Sequence, residues 1–66
     1  MMIIINKDEI IVSEYTQILK VSHQEISFIM DCYQIKIKGH DIKVLDLDKY
    51  EFKIQLQIKE VIYHVL

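Results

Sequence analysis

Apolar and polar residues alternate along most of this chain, which is the pattern of half-buried β-strands. The alternation predicts strands at residues 2–5, 10–12, 17–22, 26–30, 33–38, 41–47, 52–58 and 61–65. Polar clusters predict turns at residues 6–9, 13–16, 22–25 and 48–51, with a two-residue turn at Asp31-Cys32. A short helix at residues 13–20 is the alternative. We reject it because Tyr15, Thr16 and Ile18 are poor helix formers in so short a stretch. The turns at residues 31–32 and 48–51 predict three cross-strand pairs: Phe28 with Ile35, Leu47 with Phe52, and Leu45 with Ile54.

Gly39 is the strongest backbone signal, because it is the only glycine and the chain has no proline. Glycine at the first central position of a two-residue loop is typical of a type II′ hairpin turn. We therefore predict a turn at Gly39-His40. This register brings together Lys38 with Asp41, Ile37 with Ile42, and Ile35 with Val44.

The predicted strands share one apolar face, but the alternation of apolar and polar residues shifts by one position at two points along the chain. The expected face comprises Leu19, Val21, Ile26, Phe28, Ile35, Ile37, Ile42 and Val44. The apolar phase shifts after Val44 and again at Lys59-Glu60, so each long strand must contain a bulge or pass from one sheet to another. These features predict an all-β fold, a single domain over residues 1–66. Its antiparallel meander of about six to seven strands would curl into a small β-sandwich or a partly open barrel.

The composition is that of a small globular protein that needs additional support. The chain has 66 residues, of which 52% are hydrophobic and 27% charged. A domain of this size buries only about 60% of its unfolded surface. Cys32 is the only cysteine, so no internal disulfide is available, and no metal-ligand cluster is evident. A partner subunit is the remaining common source of stability.

The strand edges carry few features that prevent further pairing. Lysines such as Lys53 and Lys59 are the only visible protection. We therefore expect a homodimer, or strand addition to another protein. Four apolar residues out of phase with the core are candidates for the contact surface: Ile4, Ile11, Ile29 and Ile62. The alternative is that they fill the second face of a sandwich core.

Membrane and nucleic-acid partners are not expected from this sequence. The longest uncharged apolar run, residues 1–5, is too short to cross a bilayer and lacks the charged region and cleavage site of a signal peptide. A chain with a reduced thiol is expected in the cytoplasm. The net charge is −2, with no basic run. A small β-barrel that binds nucleic acid through its lysines is nevertheless the alternative function.

A set of segments covering about three quarters of the chain follows a further pattern: Glu14-Tyr15, residues 18–22, Glu25-Ile26, residues 35–44, Leu47-Asp48, Phe52-Lys53-Ile54, Ile58, Val61 and Tyr63. The most telling part is the segment at residues 35–44 followed by Phe52-Lys53-Ile54 and Tyr63. These segments resemble the YabP/YqfC family of sporulation proteins, closer to the YqfC branch. Two glycines usual in the family are absent: Leu56 occupies the position of one, and the other is missing from the turn before Tyr33. The resemblance implies a non-enzymatic all-β protein of spore coat assembly. It carries over no functional residues.

Candidate chemistry is sparse. A nucleophilic Cys32 would need a nearby base, but His23 and His40 are expected at the opposite end of the sheet. These histidines, with Glu25 and Asp41, form a candidate metal cluster, although loop histidines beside solvated carboxylates are commoner. Asp46, Asp48 and Glu51 are candidates for acid–base work but are typical of a solvated surface. The sequence therefore predicts no catalytic, cofactor-binding or metal-binding residue.

Overall fold

All of the regular structure in residues 2–66, the part of the chain described by this computed structural model, is β-strand. Met1 lies outside the described residues. The six strands are β1 (Met2–Asn6), β2 (Glu9–Ser13), β3 (Gln17–Val21), β4 (Glu25–Met30), β5 (Tyr33–Leu47) and β6 (Glu51–Val65). They form one antiparallel sheet in the order β1-β2-β6-β5-β4-β3. The predicted all-β fold is confirmed, and no helix forms at residues 13–20.

The two fifteen-residue strands β5 and β6 pair with each other and are shared between two halves of the sheet. The first half-sheet contains β1, β2, residues 51–55 of β6 and residues 43–47 of β5. The second half-sheet contains β3, β4, residues 33–38 of β5 and residues 60–65 of β6. Each half therefore has four strand segments, with a short hairpin on one side and the long pair on the other.

The connection between β2 and β3 requires the sheet to curl. Residues 14–16 join these strands, and four Cα–Cα steps span at most about 14 Å. β6, β5 and β4 lie between β2 and β3 in the sheet, which would separate the two strands by about 19 Å in a flat arrangement. The two half-sheets consequently face one another and enclose the core.

Aromatic side chains join the halves within this core. Phe28 of β4 and Phe52 of β6 are both fully buried, and their ring centroids lie 5.2 Å apart in an edge-to-face arrangement. Tyr15, in the connection between β2 and β3, packs edge-on against Phe52 at the same centroid distance. The remaining buried apolar residues are Ile10, Val12, Ile26, Met30, Ile35, Ile37, Ile42, Ile54 and Leu56.

The predicted hairpin at Gly39-His40 is wrong. β5 continues through both residues, with Gly39 opposite Ile58 and His40 opposite Gln57 of β6. The backbone at Gly39 does not have a positive φ, so the glycine serves another purpose. An added Cβ would lie 2.5 Å from the Gln57 carbonyl oxygen and 2.7 Å from Leu56 Cδ1. Glycine is required here because β6 approaches the β5 backbone closely, not because the chain turns.

Bulges account for both of the predicted phase shifts. The pairing moves from Lys38–Glu60 to Gly39–Ile58, which leaves Lys59 as an extra residue in β6. It shifts again between Val44–Ile54 and Asp46–Lys53, which leaves Leu45 as an extra residue in β5. A third irregularity, at residues 41–42, was not predicted, and there Asp41 adopts a φ of 55°. These bulges bend the long strands from one half-sheet into the other.

The other predicted registers are mostly correct. The turn at Asp31-Cys32 places Phe28 opposite Ile35, and Asp31 takes the left-handed conformation with a φ of 53°. Leu47 pairs with Phe52 as predicted. The pairing expected between Leu45 and Ile54 is wrong by one residue, because Leu45 is the bulged position.

The core face of β3 is only partly as predicted. Val21 lies opposite buried Ile26, on the predicted face, although Val21 itself is exposed. Leu19 is the extra residue at an irregularity between Ile18 and Lys20, so it is exposed, and Ile18 packs against the core instead.

We expect Gly39→Ala to lower the free energy of unfolding by about 1–3 kcal/mol, because the new methyl group would overlap the β6 backbone. Urea denaturation followed by circular dichroism would measure the change. His40→Ala is a matched control at the adjacent exposed position and should change stability by less than about 0.5 kcal/mol. Equal stability losses in the two variants would contradict this role for Gly39.

Candidate interaction surface

Four stretches of strand backbone within residues 2–66 lack a neighbouring strand on one side. Two of them are β1 and β3, which end the strand order. The other two belong to the long strands. β4 pairs only with residues 33–38 of β5, and β2 pairs only with residues 51–55 of β6. Residues 43–47 of β5 and residues 60–65 of β6 are consequently open edges as well.

The same edges expose apolar side chains that continue the core face. In the first half-sheet, buried Ile10 and Ile54 form the middle of a cross-strand row whose ends are Ile5 and Val44. Both end residues are about half exposed, at 53% and 45%. In the second half-sheet, buried Phe28 and Ile35 are flanked by half-buried Ile18 and by Tyr63, which is 61% exposed. Each half-sheet therefore has too few strands to bury the residues at the ends of its apolar rows.

The four predicted contact residues fall into two separate pairs. Ile4 and Ile11 are cross-strand partners in the β1–β2 hairpin. Ile29 of β4 and Ile62 of β6 lie on either side of β5, where they pair with Gln34 and Lys36. None of the four belongs to the buried core cluster, and Ile4 and Ile62 are exposed. Their role as a contact surface stays a prediction.

The lysines do not protect the edges as expected. Lys53 lies inside the sheet, between Ile11 of β2 and Asp46 of β5, and its Nζ is 3.5 Å from a Glu9 carboxylate oxygen. Lys59 is the bulged residue just before the open edge of β6. Lys38 is paired across the strands with Glu60. Glu60 and Glu9 therefore lie beside Lys38 and Lys53, two of the lysines on which a nucleic-acid interface would depend.

The histidine-bearing segments are close together, as the sequence predicted. The His23 carbonyl accepts a hydrogen bond of 3.0 Å from the Ile42 N–H, and the Gln24 carbonyl accepts one of 3.0 Å from the Gly39 N–H. The β3–β4 turn therefore lies against the middle of β5. Cys32 is exposed in the turn at the other end of β4.

Within the described residues, these side chains are not gathered into a metal site. No three His, Cys, Asp or Glu residues between positions 2 and 66 are grouped so that they could hold a metal ion. A depression of about 440 Å³ beside His40 is lined also by Asp8, Asp41 and Lys43, and it opens to solvent. No helix in the described part of the chain has the length and apolar character needed to cross a bilayer.

The acidic stretch near the β5–β6 turn has a structural role. One carboxylate oxygen of Asp48 accepts hydrogen bonds from the N–H groups of Tyr50 and Glu51, at 2.8 and 2.9 Å. The Asp48 carbonyl accepts a further bond of 2.6 Å from the Tyr15 hydroxyl. Glu51 accepts a hydrogen bond of 3.2 Å from the Ser13 hydroxyl. These contacts shape the turn and attach the β2–β3 connection to it.

Comparisons with protein-family models, with curated proteins and with solved structures found no match to this chain. The resemblance to sporulation proteins therefore rests on the sequence segments quoted above.

The sequence prediction missed the open edges at Val44 and Leu47 of β5 and at Tyr63 and Val65 of β6. A signal for them was present. The apolar alternation of the last two strands runs for much longer than that of the strands at residues 2–30, so the short strands cannot cover the long ones. The erroneous turn at Gly39 hid this difference, because it divided β5 into two short strands.

We expect Asp48→Ala to lower the free energy of unfolding by about 1–2 kcal/mol, because two backbone N–H groups lose a charged acceptor. Thermal and urea unfolding would measure the loss. Asp46→Ala removes an exposed carboxylate two residues away and should cost less than about 0.5 kcal/mol. A lower stability of Asp46→Ala than of Asp48→Ala would contradict the role of Asp48 in shaping the turn.

Proposed function

We propose that this chain is a non-enzymatic interaction module that associates through its open strand edges and the apolar residues beside them. One observation supports this proposal most strongly. Both half-sheets end in unpaired strand backbone, and exposed apolar side chains of the core face lie beside that backbone. Unpaired strand edges add strands readily, with main-chain hydrogen bonds supplying affinity and the adjoining side chains supplying specificity.

The size of the domain supports the same proposal. A chain of 66 residues without a disulfide gains little stability from its core alone. The exposed apolar residues at the edges could bury further surface against a partner, at about 25 cal/mol for each Å² removed from water. A second copy presents the same edges, so a homodimer is the first partner that we propose.

The resemblance to the YabP/YqfC proteins supports a more specific proposal. It implies that the chain acts in the cytoplasm of a spore-forming bacterium and contributes to spore coat assembly through contacts with itself or with other sporulation proteins. This part of the proposal rests on sequence segments alone and can fail without affecting the proposed edge association.

We expect the purified chain to be at least a dimer, with a mass of at least twice the 7.9 kDa of one chain. Size-exclusion chromatography with light scattering over a range of concentrations would measure it. The association should persist at high salt, because apolar contacts are not screened as surface charges are. A well-folded monomer at every concentration would contradict self-association.

The sporulation proposal predicts when the protein is made. We expect its transcript to rise during endospore formation in the host, and a fluorescent fusion to gather at the forming spore. A vegetative protein of the same operon or replicon would be the control. Constant expression through vegetative growth, with no enrichment at the spore, would contradict this part of the proposal.

A further inference from the structure

We infer that residues 60–64 of β6 pair antiparallel with the same residues of a second copy, centred on Ile62. This inference rests on the proposed edge association and specifies which edge is used and in which register. The pairing would join the two second half-sheets into one continuous sheet, with four strand segments from each copy.

The backbone of this edge is oriented for such a pairing. The Leu66 N–H donates a hydrogen bond of 2.8 Å to the Cys32 carbonyl, so Leu66 faces β5. Alternate residues of a strand point their hydrogen-bonding groups the same way. Glu60, Ile62 and His64 therefore also face β5, while Val61, Tyr63 and Val65 direct their N–H and carbonyl groups toward the open side. The 3.0 Å bond from the Gly39 N–H to Gln24, on the β4 side of β5, independently agrees with this alternation.

The side chains select one register. Centring the pair on Ile62 places each Val61 opposite Tyr63 of the second copy, so the residues that offer free backbone groups meet each other. On the opposite face, Ile62 meets its own copy and Glu60 meets His64. The imidazole can donate a hydrogen bond to the carboxylate there. Moving the centre to Val61 or Tyr63 instead places Ile62 opposite Glu60 or His64, so the complementarity is lost.

The other three open edges are less suitable. β3 is interrupted between Ile18 and Lys20, and residues 43–47 of β5 are interrupted at Leu45. Such bulges disfavour further pairing. β1 is regular but contains no charged residue, so nothing fixes a single register for a second copy. The edge of β6 combines regular pairing, charge complementarity and Tyr63, an aromatic of the type enriched at interfaces.

The first test blocks one edge at a time with proline. Tyr63→Pro removes an N–H that makes no bond within the sheet, and it should weaken dimerisation roughly ten- to hundredfold, because two intermolecular hydrogen bonds are lost. Ile5→Pro is the matched control: Ile5 is also exposed, and its N–H faces the open side of β1. Sedimentation equilibrium would measure both dissociation constants, and circular dichroism would verify that each variant is folded.

The second test concerns the register and does not depend on the proline variants. In a Cys32→Ser background, Ile62→Cys should form a disulfide-linked dimer on mild oxidation, because opposite residues of a non-hydrogen-bonded pair have Cα atoms about 4.5 Å apart. Glu60→Cys in the same background should not crosslink, since its copies would be separated by four residues along the strand, about 13 Å.

A third comparison tests the charge pairing. His64→Lys should preserve or strengthen the dimer, whereas His64→Glu should weaken it by placing two carboxylates opposite each other. In both variants the new side chain lies opposite the neutral Gln34 of β5, so we expect the two substitutions to affect the stability of the single chain equally.

The outcomes separate this inference from the proposed function. A dimer that Ile5→Pro disrupts and Tyr63→Pro leaves intact would overturn the β6 pairing while preserving edge association. Equal weakening by both proline variants, or equal crosslinking by both cysteine variants, would also overturn it. If Tyr63→Pro is unfolded, the crosslinking and charge comparisons decide. A wild-type chain that stays monomeric would overturn both the pairing and the proposed self-association.

Discussion

The short connection between β2 and β3 is the constraint on which the rest of the structure depends. Three residues must bridge two strands that four strand spacings separate in the sheet, so the sheet has to curl. The curl brings Phe28 and Phe52 from the two half-sheets into contact, and Tyr15 within the connection itself packs against Phe52. The Tyr15 hydroxyl is bonded to the Asp48 carbonyl, which holds this connection against the β5–β6 turn. Covalent geometry and core packing therefore require the same bend.

β5 and β6 accommodate the bend through local backbone irregularities. The extra residues Lys59 and Leu45 redirect their strands, and Gly39 allows the two backbones to approach closely between them. A side chain at Gly39 would push β6 away at the point where the two half-sheets meet. The only glycine of the chain thus lies where the curvature of the sheet depends most on backbone proximity.

Much of the fold follows from side-chain alternation, because one apolar face determines strand identity and register together. The registers around Asp31-Cys32 and between Leu47 and Phe52 follow from it, and so do the two phase shifts. Gly39 was misassigned because glycine serves both turns and close backbone contacts, and sequence alone does not separate these uses. Leu19 was wrongly assigned to the core face because an irregularity between Ile18 and Lys20 shifts the alternation of β3, which places Ile18 against the core. The candidate surface was predicted only partly, since the open edges depend on strand lengths that the erroneous turn concealed.

The bend that closes the core also creates the surface that we propose for association. Each long strand spans both half-sheets, but the short hairpins β1–β2 and β3–β4 each cover only one end of one long strand. The other end of each long strand is left open, and its core-facing residues become the exposed margin of an apolar row. The hairpins are too short to reach these ends, since β2 begins opposite Gln55 of β6 and β4 begins opposite Lys38 of β5. Incomplete coverage therefore follows from the difference in length between the five- or six-residue strands and the fifteen-residue strands. A strand from outside the chain can pair with the backbone that remains open.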